Sequence, residues 1–216
     1  QLALDRGLVR ERFPIASQRP VIVVRKNDPP KVSTVSDLTD KGISYALGDP
    51  QATAVGKKTK IALERNGLWN PLMTGATVIT PTVNEIAAAV ELGSVDAGIV
   101  WDSTGAQYPD LQIIHDPRLD TESASIEAAV TEFADNPSAA LHFARFLASA
   151  DRGLSIFNAQ GFNVVNGDRW AENPQLTFYV GAVNRRAIEN AVNQFAEREG
   201  VTVNTVYNGC GILTAQ

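Results

Sequence analysis

"ISYALGDPQATAVGKKTKIALERNG", residues 43–67, carries the pattern on which the fold turns. "ISYAL" (43–47) is short and β-favouring, and "GDP" turns the chain. Ala54 to Asn66 then reads as a helix, with Gly67 as its stop. Strand, glycine turn and helix in that order are the building unit of a layered α/β protein. Two later stretches repeat the hand-over: "VGAVNRR" (180–186) and "NGCGILT" (208–214).

The same alternation extends outward in both directions. "PVIVVRK" (20–26), "ATVITP" (76–81), "DAGIVW" (96–101), "LQIIHD" (111–116) and "SIEAAVTEF" (125–133) read as strands. "TVNEIAAAVELGS" reads as a short helix with Ile86, Ala87, Val90 and Leu92 as apolar members and Gly93 as its stop. Residues 136–162 read as a helix in two pieces, broken near Ala150–Asp151, with Pro137 well placed at its start. The polar stretch 163–174 has the composition of a linker. "QLTFYVG" (175–181) and "VTVNTVYN" (201–208) are strands around an amphipathic helix, 184–200. In it Ala187, Ile188, Ala191, Val192 and Phe195 fall at helical spacing.

The net charge of −5 and the lack of a long basic run argue against nucleic acid and anionic membrane as partners. The apolar runs are far shorter than a membrane span. No signal peptide is visible at the abrupt opening "QLALDRGLV", which suits a mature or trimmed product. A single cysteine, Cys210, makes no internal disulfide.

Small residues at strand-to-helix turns let a ligand approach the backbone. The first N–H groups of a helix point outward without an internal partner and attract anions. In open α/β sheets, ligands lie beyond the carboxyl ends of the strands. Ordinary βα turns also look like this, and taken singly that is the commoner meaning of each. "GCGILT" lacks the third glycine of a dinucleotide loop. His115 and His142 are not spaced as a metal pair, and His142 suits a helix surface or a packing position. Glu127 interrupts an apolar strand pattern, so it faces either solvent or a cleft. Trp101 ends a strand, where it either packs or lines a pocket.

Residues 36–72, "SDLTDKGISYALGDPQATAVGKKTKIALERNGLWNPL", resemble the second lobe of the periplasmic molybdate-binding proteins of ABC importers. "VNEIAAAVELGSVDAGIVWDSTGA" (83–106) continues the resemblance, and 136–162 is similar to the helices that close that family's sequence. Residues 176–216 resemble the family's amino-terminal opening, yet here they come last. Residues 2–29 resemble the stretch leading from the first lobe into the second. The order implies a circular permutation, or a window cut from tandem copies.

The resemblance implies a two-lobed α/β fold of the type II periplasmic binding class, each lobe a mixed sheet flanked by helices. Lobe I would comprise 1–20 plus 128–216, and lobe II 21–127. It implies capture of a small oxyanion, molybdate or tungstate, without catalysis or cofactor. The partner would be an importer's membrane permease, the location periplasmic or otherwise extracytoplasmic, with membrane tethering allowed. A domain-swapped or tandem assembly would complete the lobe.

Carried over residue by residue, the ligand would meet the backbone at Thr53, Ala54 and Val55 and at Val100 or Trp101. It would also meet Ala182, Val183 and Asn184, and Gly209, Cys210 and Gly211. Val183 stands where the family has one serine, and Cys210 at or beside a second. Ile126 lies near the family's tyrosine, with Glu127 beside it. Backbone donors survive these replacements and side-chain donors mostly do not. Three alternatives stay open: another solute or a soft metal ion held through Cys210, a thiol-dependent enzyme with Cys210 as nucleophile, and an interaction module without a ligand.

Overall fold

The structure, a computed structural model, describes residues 2–27, 29, 32–39, 42–170 and 174–213. Its helices are α1 (Leu2–Asp5), α2 (Ala54–Glu64), α3 (Trp69–Gly75), α4 (Val83–Glu91), α5 (Asp102–Ala106), α6 (Pro137–Leu147), α7 (Gly153–Ala159), α8 (Arg185–Glu199) and α9 (Cys210–Leu213). Its strands are β1 (Val9–Gln18), β2 (Pro20–Arg25), β3 (Tyr45–Gly48), β4 (Val78–Thr80), β5 (Ala97–Trp101), β6 (Leu111–Ile114), β7 (Ala124–Thr131), β8 (Asn163–Val164), β9 (Gln175–Gly181) and β10 (Thr202–Asn208). The chain divides into two compact units, 1–169 and 170–216.

The first unit holds two sheets. One is five-stranded, in the order β4-β3-β5-β2-β6. Strands β3, β4, β5 and β6 all run in one direction and β2 alone runs against them. Its central strands are apolar on both faces because helices cover both. Ile22, Val24, Leu47, Ile99 and Trp101 join α2 and α3 in one core, whereas Val21, Val23, Ala46 and Val100 pack with Ile86 and Val90 of α4 in another. That continuous burial explains why "PVIVVR" shows no alternation.

The other sheet of this unit is three-stranded, β7-β1-β8, and antiparallel. It has its own core, in which Ile15, Ala16 and Leu154 pack with Ile126, Leu147, Phe157 and Phe162. Strand β7 alternates in burial, as a strand in a sheet with one covered face does. Two crossings join the sheets: the single residue Arg19 between β1 and β2, and 115–123 between β6 and β7.

The second unit is one βαβ unit followed by a turn of helix. Strands β9 and β10 pair in parallel from Thr202↔Gln175 to Asn208↔Gly181, with α8 as their connection. This matches the expectation for 175–208. Among the described residues of this unit, Val180 is the only buried hydrophobic. Leu176, Phe178 and Phe195 stay more than a third exposed, leaving an apolar groove between α8 and the strands.

Several local expectations shift. Helix α4 ends at Glu91, so Leu92 is 80% exposed and is no part of its buried face. Strand β1, helix α3 and helix α5 were not legible: β1 carries charged residues and a proline, α3 contains Pro71, and α5 spans five residues. Part of the linker, Asn163–Val164, is an edge strand on β1, and 171–173 lie outside the described residues.

Candidate functional site

The shared direction of β3, β4, β5 and β6 gathers their carboxyl ends on one edge of the five-stranded sheet. Helices α2, α4 and α5 start from that edge. Both crossings also leave from it, because β2 begins there and β6 ends there.

The turn after β3 is the most constructed part of this edge. Thr53 is the N-cap of α2, in extended backbone (φ −115°, ψ 141°), and its hydroxyl accepts from the Gly56 amide at 3.0 Å. That hydroxyl also donates to the Asp49 carbonyl at 2.9 Å, and the Thr53 amide donates to the same carbonyl at 2.7 Å. The Asp49 carboxylate accepts from the Gln51 amide at 2.7 Å. The turn is therefore rigid from 49 to 56 and needs two glycines. A Cβ on Gly56 would lie 2.2 Å from the Gly48 carbonyl oxygen, and one on Gly48 would lie 2.4 Å from the Thr53 hydroxyl. Ala54 and Val55 open the helix, so no carbonyl stands one turn back to take their amides. Ala54 is exposed, while the Val55 side chain is buried in the core.

A second hydroxyl cap lies beside the first. Thr82 caps α4 and accepts from the Glu85 amide at 3.4 Å. The Thr80 hydroxyl donates to the Thr82 carbonyl, and the Thr80 carbonyl accepts from the Asp49 amide at 2.9 Å, linking the two turns. The third turn follows β5. Val100 and Trp101 point to opposite faces and both are buried, so what they can offer a ligand at this edge is backbone. Next, buried Asp102 accepts from the Ser103 amide at 2.8 Å and from the Arg19 amide at 3.1 Å. The Ser103 hydroxyl donates to Gln18 Oε1 at 3.0 Å.

Ile126 and Glu127 alternate on β7, opposite Ala16 and Pro14 of β1. Ile126 packs into the three-stranded sheet's core. Glu127 is exposed and accepts from Arg12 at 3.0 Å across the ladder, an ion pair facing solvent. His115 is largely exposed and 3.8 Å from Asp120, and His142 is on the exposed side of α6.

In the second unit the parallel register sets Asn208 opposite Gly181. It thereby brings Ala182, Val183 and Asn184 beside Gly209, Cys210 and Gly211 at the carboxyl ends of β9 and β10. Val183 is 92% exposed. Cys210 begins the last described helical turn, and Arg185 stacks over the Tyr207 ring at 4.9 Å just behind. Each unit thus has its own carboxyl edge.

Sequence reasoning missed Asp49, Thr82 and Gln18; it placed 100–103 near the ligand but gave the Asp102 and Ser103 side chains no role. The signal for Thr82 is present as Thr82-x-x-Glu85, a capping-box spacing. Nothing local marks Gln18 or Ser103, because they meet only through the crossing. Among the described residues, no group of three or more His, Cys, Asp and Glu side chains is placed to hold a metal ion.

A profile of the bacterial extracellular solute-binding protein family matches residues 1–163. The chain is 27% identical over 143 residues to YvgL of Bacillus subtilis (strain 168), which carries the name of an ABC transporter substrate-binding lipoprotein. The match takes in 66% of this chain and 54% of YvgL, so the chain spans about half the length of this curated relative. The Azotobacter vinelandii periplasmic molybdate-binding protein superposes with a TM-score of 0.60 at 17% identity, over 76% of this chain and 74% of that one. Iron-bound HitA from Pseudomonas aeruginosa gives 0.59 at 14% identity, over 79% and 67%. Identities this low establish the type II periplasmic binding fold alone, and the two names span an oxyanion and a metal cation. With residues 1–163 of 216 under the family profile, the chain belongs to the bacterial extracellular solute-binding protein family.

Proposed function

We propose that this chain is the receptor part of an ABC importer, working outside the cytoplasm and handing a small oxyanion of the molybdate or tungstate kind to a membrane permease. The observation that carries this reading is the carboxyl edge of the five-stranded sheet. There α2 and α4 present outward amides behind neutral threonine caps, in a turn whose backbone is fixed before any ligand arrives. Outward N–H donors at helix starts suit a dianion, since the donors lose little on ordering and the helix dipole adds attraction, while the Asp49 and Asp102 carboxylates are already engaged by the Gln51, Ser103 and Arg19 amides.

In this reading 21–127 form one lobe, and residues 1–20 and 128–216 belong to the other, in permuted or tandem-copy order. The carboxyl edge at 181–184 and 209–211 then contributes to an oxyanion site, either of the same lobe pair or of a following copy. Cys210 in place of a serine would favour a softer ligand there. Capture needs no chemistry on the solute, so no residue is assigned a catalytic role.

The cleanest test removes one donor without disturbing the fold. Val55 is a poor choice, since its side chain is buried and proline there would force helical Ala54 into a disfavoured conformation. Ala54 is the first helical residue, exposed, and preceded by Thr53 in extended backbone, which is the setting proline prefers. Ala54→Pro should keep or slightly raise stability and weaken molybdate binding several-fold. Equal affinity in the two proteins counts against this turn as the anion site.

A further inference from the structure

Besides their crossings, the two separately cored bodies of the first unit meet tightly where Gly161 lies beside Ala106. Gly161 follows α7 and lies against Ala106 at the end of α5. A Cβ on Gly161 would stand 2.3 Å from the Ala106 Cβ and 3.9 Å from the Ser103 carbonyl oxygen. Gly161 has φ +82°, a conformation that glycine adopts at no steric cost. Each side of the contact is stiffly backed. Gly161 donates to the Asn158 carbonyl at 3.0 Å, and Phe162 beside it packs edge-on to Phe157 with centroids 5.3 Å apart. On the other side, Gly105 sits against Ile113 and Val23 of the five-stranded sheet. The same short helix α5 holds the crossing. The Asp102 amide donates to the Arg19 carbonyl at 2.9 Å, and its carboxylate takes the Arg19 amide. Ser103 holds Gln18.

We propose that α5 is the angle-setting element between the two bodies: its start grips the crossing at Gln18–Arg19, and its end, Ala106, is the stop against which Gly161 rests. This rests on the reading of the unit as two lobes of a solute receptor. A rigid-body hinge needs a pivot and a contact that limits it, and packed contacts of this kind shift in steps rather than deform continuously. Carbon atoms pack at about 3.5–4.0 Å, so a methyl added at this contact must be met by roughly 1.5 Å of displacement. Both Ala106 and Gly161 lie at the surface, so bulk there has solvent to one side and pushes the bodies apart instead of breaking a core.

The test is the distance between spin labels on the two bodies, at Glu64→Cys on α2 and Ala139→Cys on α6, in a Cys210→Ser background. Both label sites are exposed. Ala106→Leu and Ala106→Val should shift the mean distance away from the parent's by an amount on the order of 1 Å, graded with side-chain size, while thermal stability stays near the parent's. Ala106→Gly should broaden the distribution toward the opposite side. Distributions that coincide for the parent, Ala106→Val and Ala106→Leu, in proteins that melt cooperatively, overturn the proposal. Repeating the measurement with molybdate and with ferric iron, beside calorimetric titration of the same solutes into the chain that keeps Cys210, separates this from the receptor reading. A wedge-induced shift with no response to either solute leaves the stop standing and removes support for those ligands, whereas a solute response without a wedge effect refutes the stop.

Discussion

Gly56→Ala sets two effects of opposite sign against each other. Alanine is the better helix former, and in an exposed helix the exchange would stabilise by up to about 1 kcal/mol. At Gly56 the new methyl would lie 2.2 Å from the Gly48 carbonyl oxygen and 2.7 Å from the Thr53 hydroxyl. The first neighbour is strand backbone, held in register opposite Thr80 of β4, so it cannot rotate away as a flexible side chain would. The second is the N-cap itself. Relief therefore requires the start of α2 to move about 1 Å from β3, loosening the cap as it goes. Overpacking of this kind costs roughly 1–3 kcal/mol and loss of a cap about 1 kcal/mol. The clash wins, and the variant should be less stable by about 1–3 kcal/mol after the helix gain is subtracted. For a unit of this size that is a fall in melting temperature of very roughly 2–10 °C. Urea unfolding followed by tryptophan fluorescence reads the change, since Trp69 and Trp101 are both buried in this core. A Gly56→Ala protein as stable as the parent, or more so, refutes the close-approach reasoning.

Other expectations follow from the same geometry. Arg25 donates from one nitrogen to the Val90 and Val95 carbonyls at 3.0 and 2.9 Å. The Val90 carbonyl also accepts from the Gly93 amide, so Arg25→Ala should cost about 1–3 kcal/mol chiefly through the Val95 carbonyl, measured by the same unfolding assay. Three aspartates should make stability fall in acid. Hydrogen bonds from Ser44 hold Asp96 below the usual carboxylate range, and amides of Ser33 and Thr34 do the same for Asp37. Burial pushes Asp116 up, but Arg118 and the Val35 amide outweigh it and the net shift is down. Because these pKa values are depressed on folding, their contribution is complete above the unfolded aspartate value of about 3.9 and is lost as pH falls through the folded values. Asp116→Asn should flatten that acid limb in thermal melts between pH 2 and pH 5. Hydrogen exchange should find β9, α8 and β10 far less protected than β2 and β5, since two paired strands with one buried hydrophobic give little local stability.

The parts of this fold legible in the sequence are those where one physical signal dominates. The βα unit at 43–67 shows because β-branched and aromatic residues, a glycine turn and a run of helix formers follow in order. The strand at 20–26 shows because burial on both faces leaves no polar position in its middle. Strand β1 was hidden: Arg10, Glu11, Arg12 and Pro14 break its pattern, and its pairing with β7 spans more than a hundred residues. The site divided along the same line. Thr53, Ala54 and Val55 are legible as the start of α2 because a helix start is a local feature. The Asp102–Arg19 and Ser103–Gln18 ties join residues more than eighty positions apart, and no local spacing encodes them. Glu127 broke the apolar pattern of β7 because that strand has one wet face, where Arg12 answers it.

The most direct test of the solute-receptor account is calorimetric titration of molybdate into the parent protein and into Ala54→Pro, with unfolding curves recorded for both. Saturable binding to the parent is expected, weakened several-fold in a variant that unfolds at the same or a slightly higher urea concentration. Saturable binding of the same strength to both proteins, or heat from the parent indistinguishable from dilution, would contradict it.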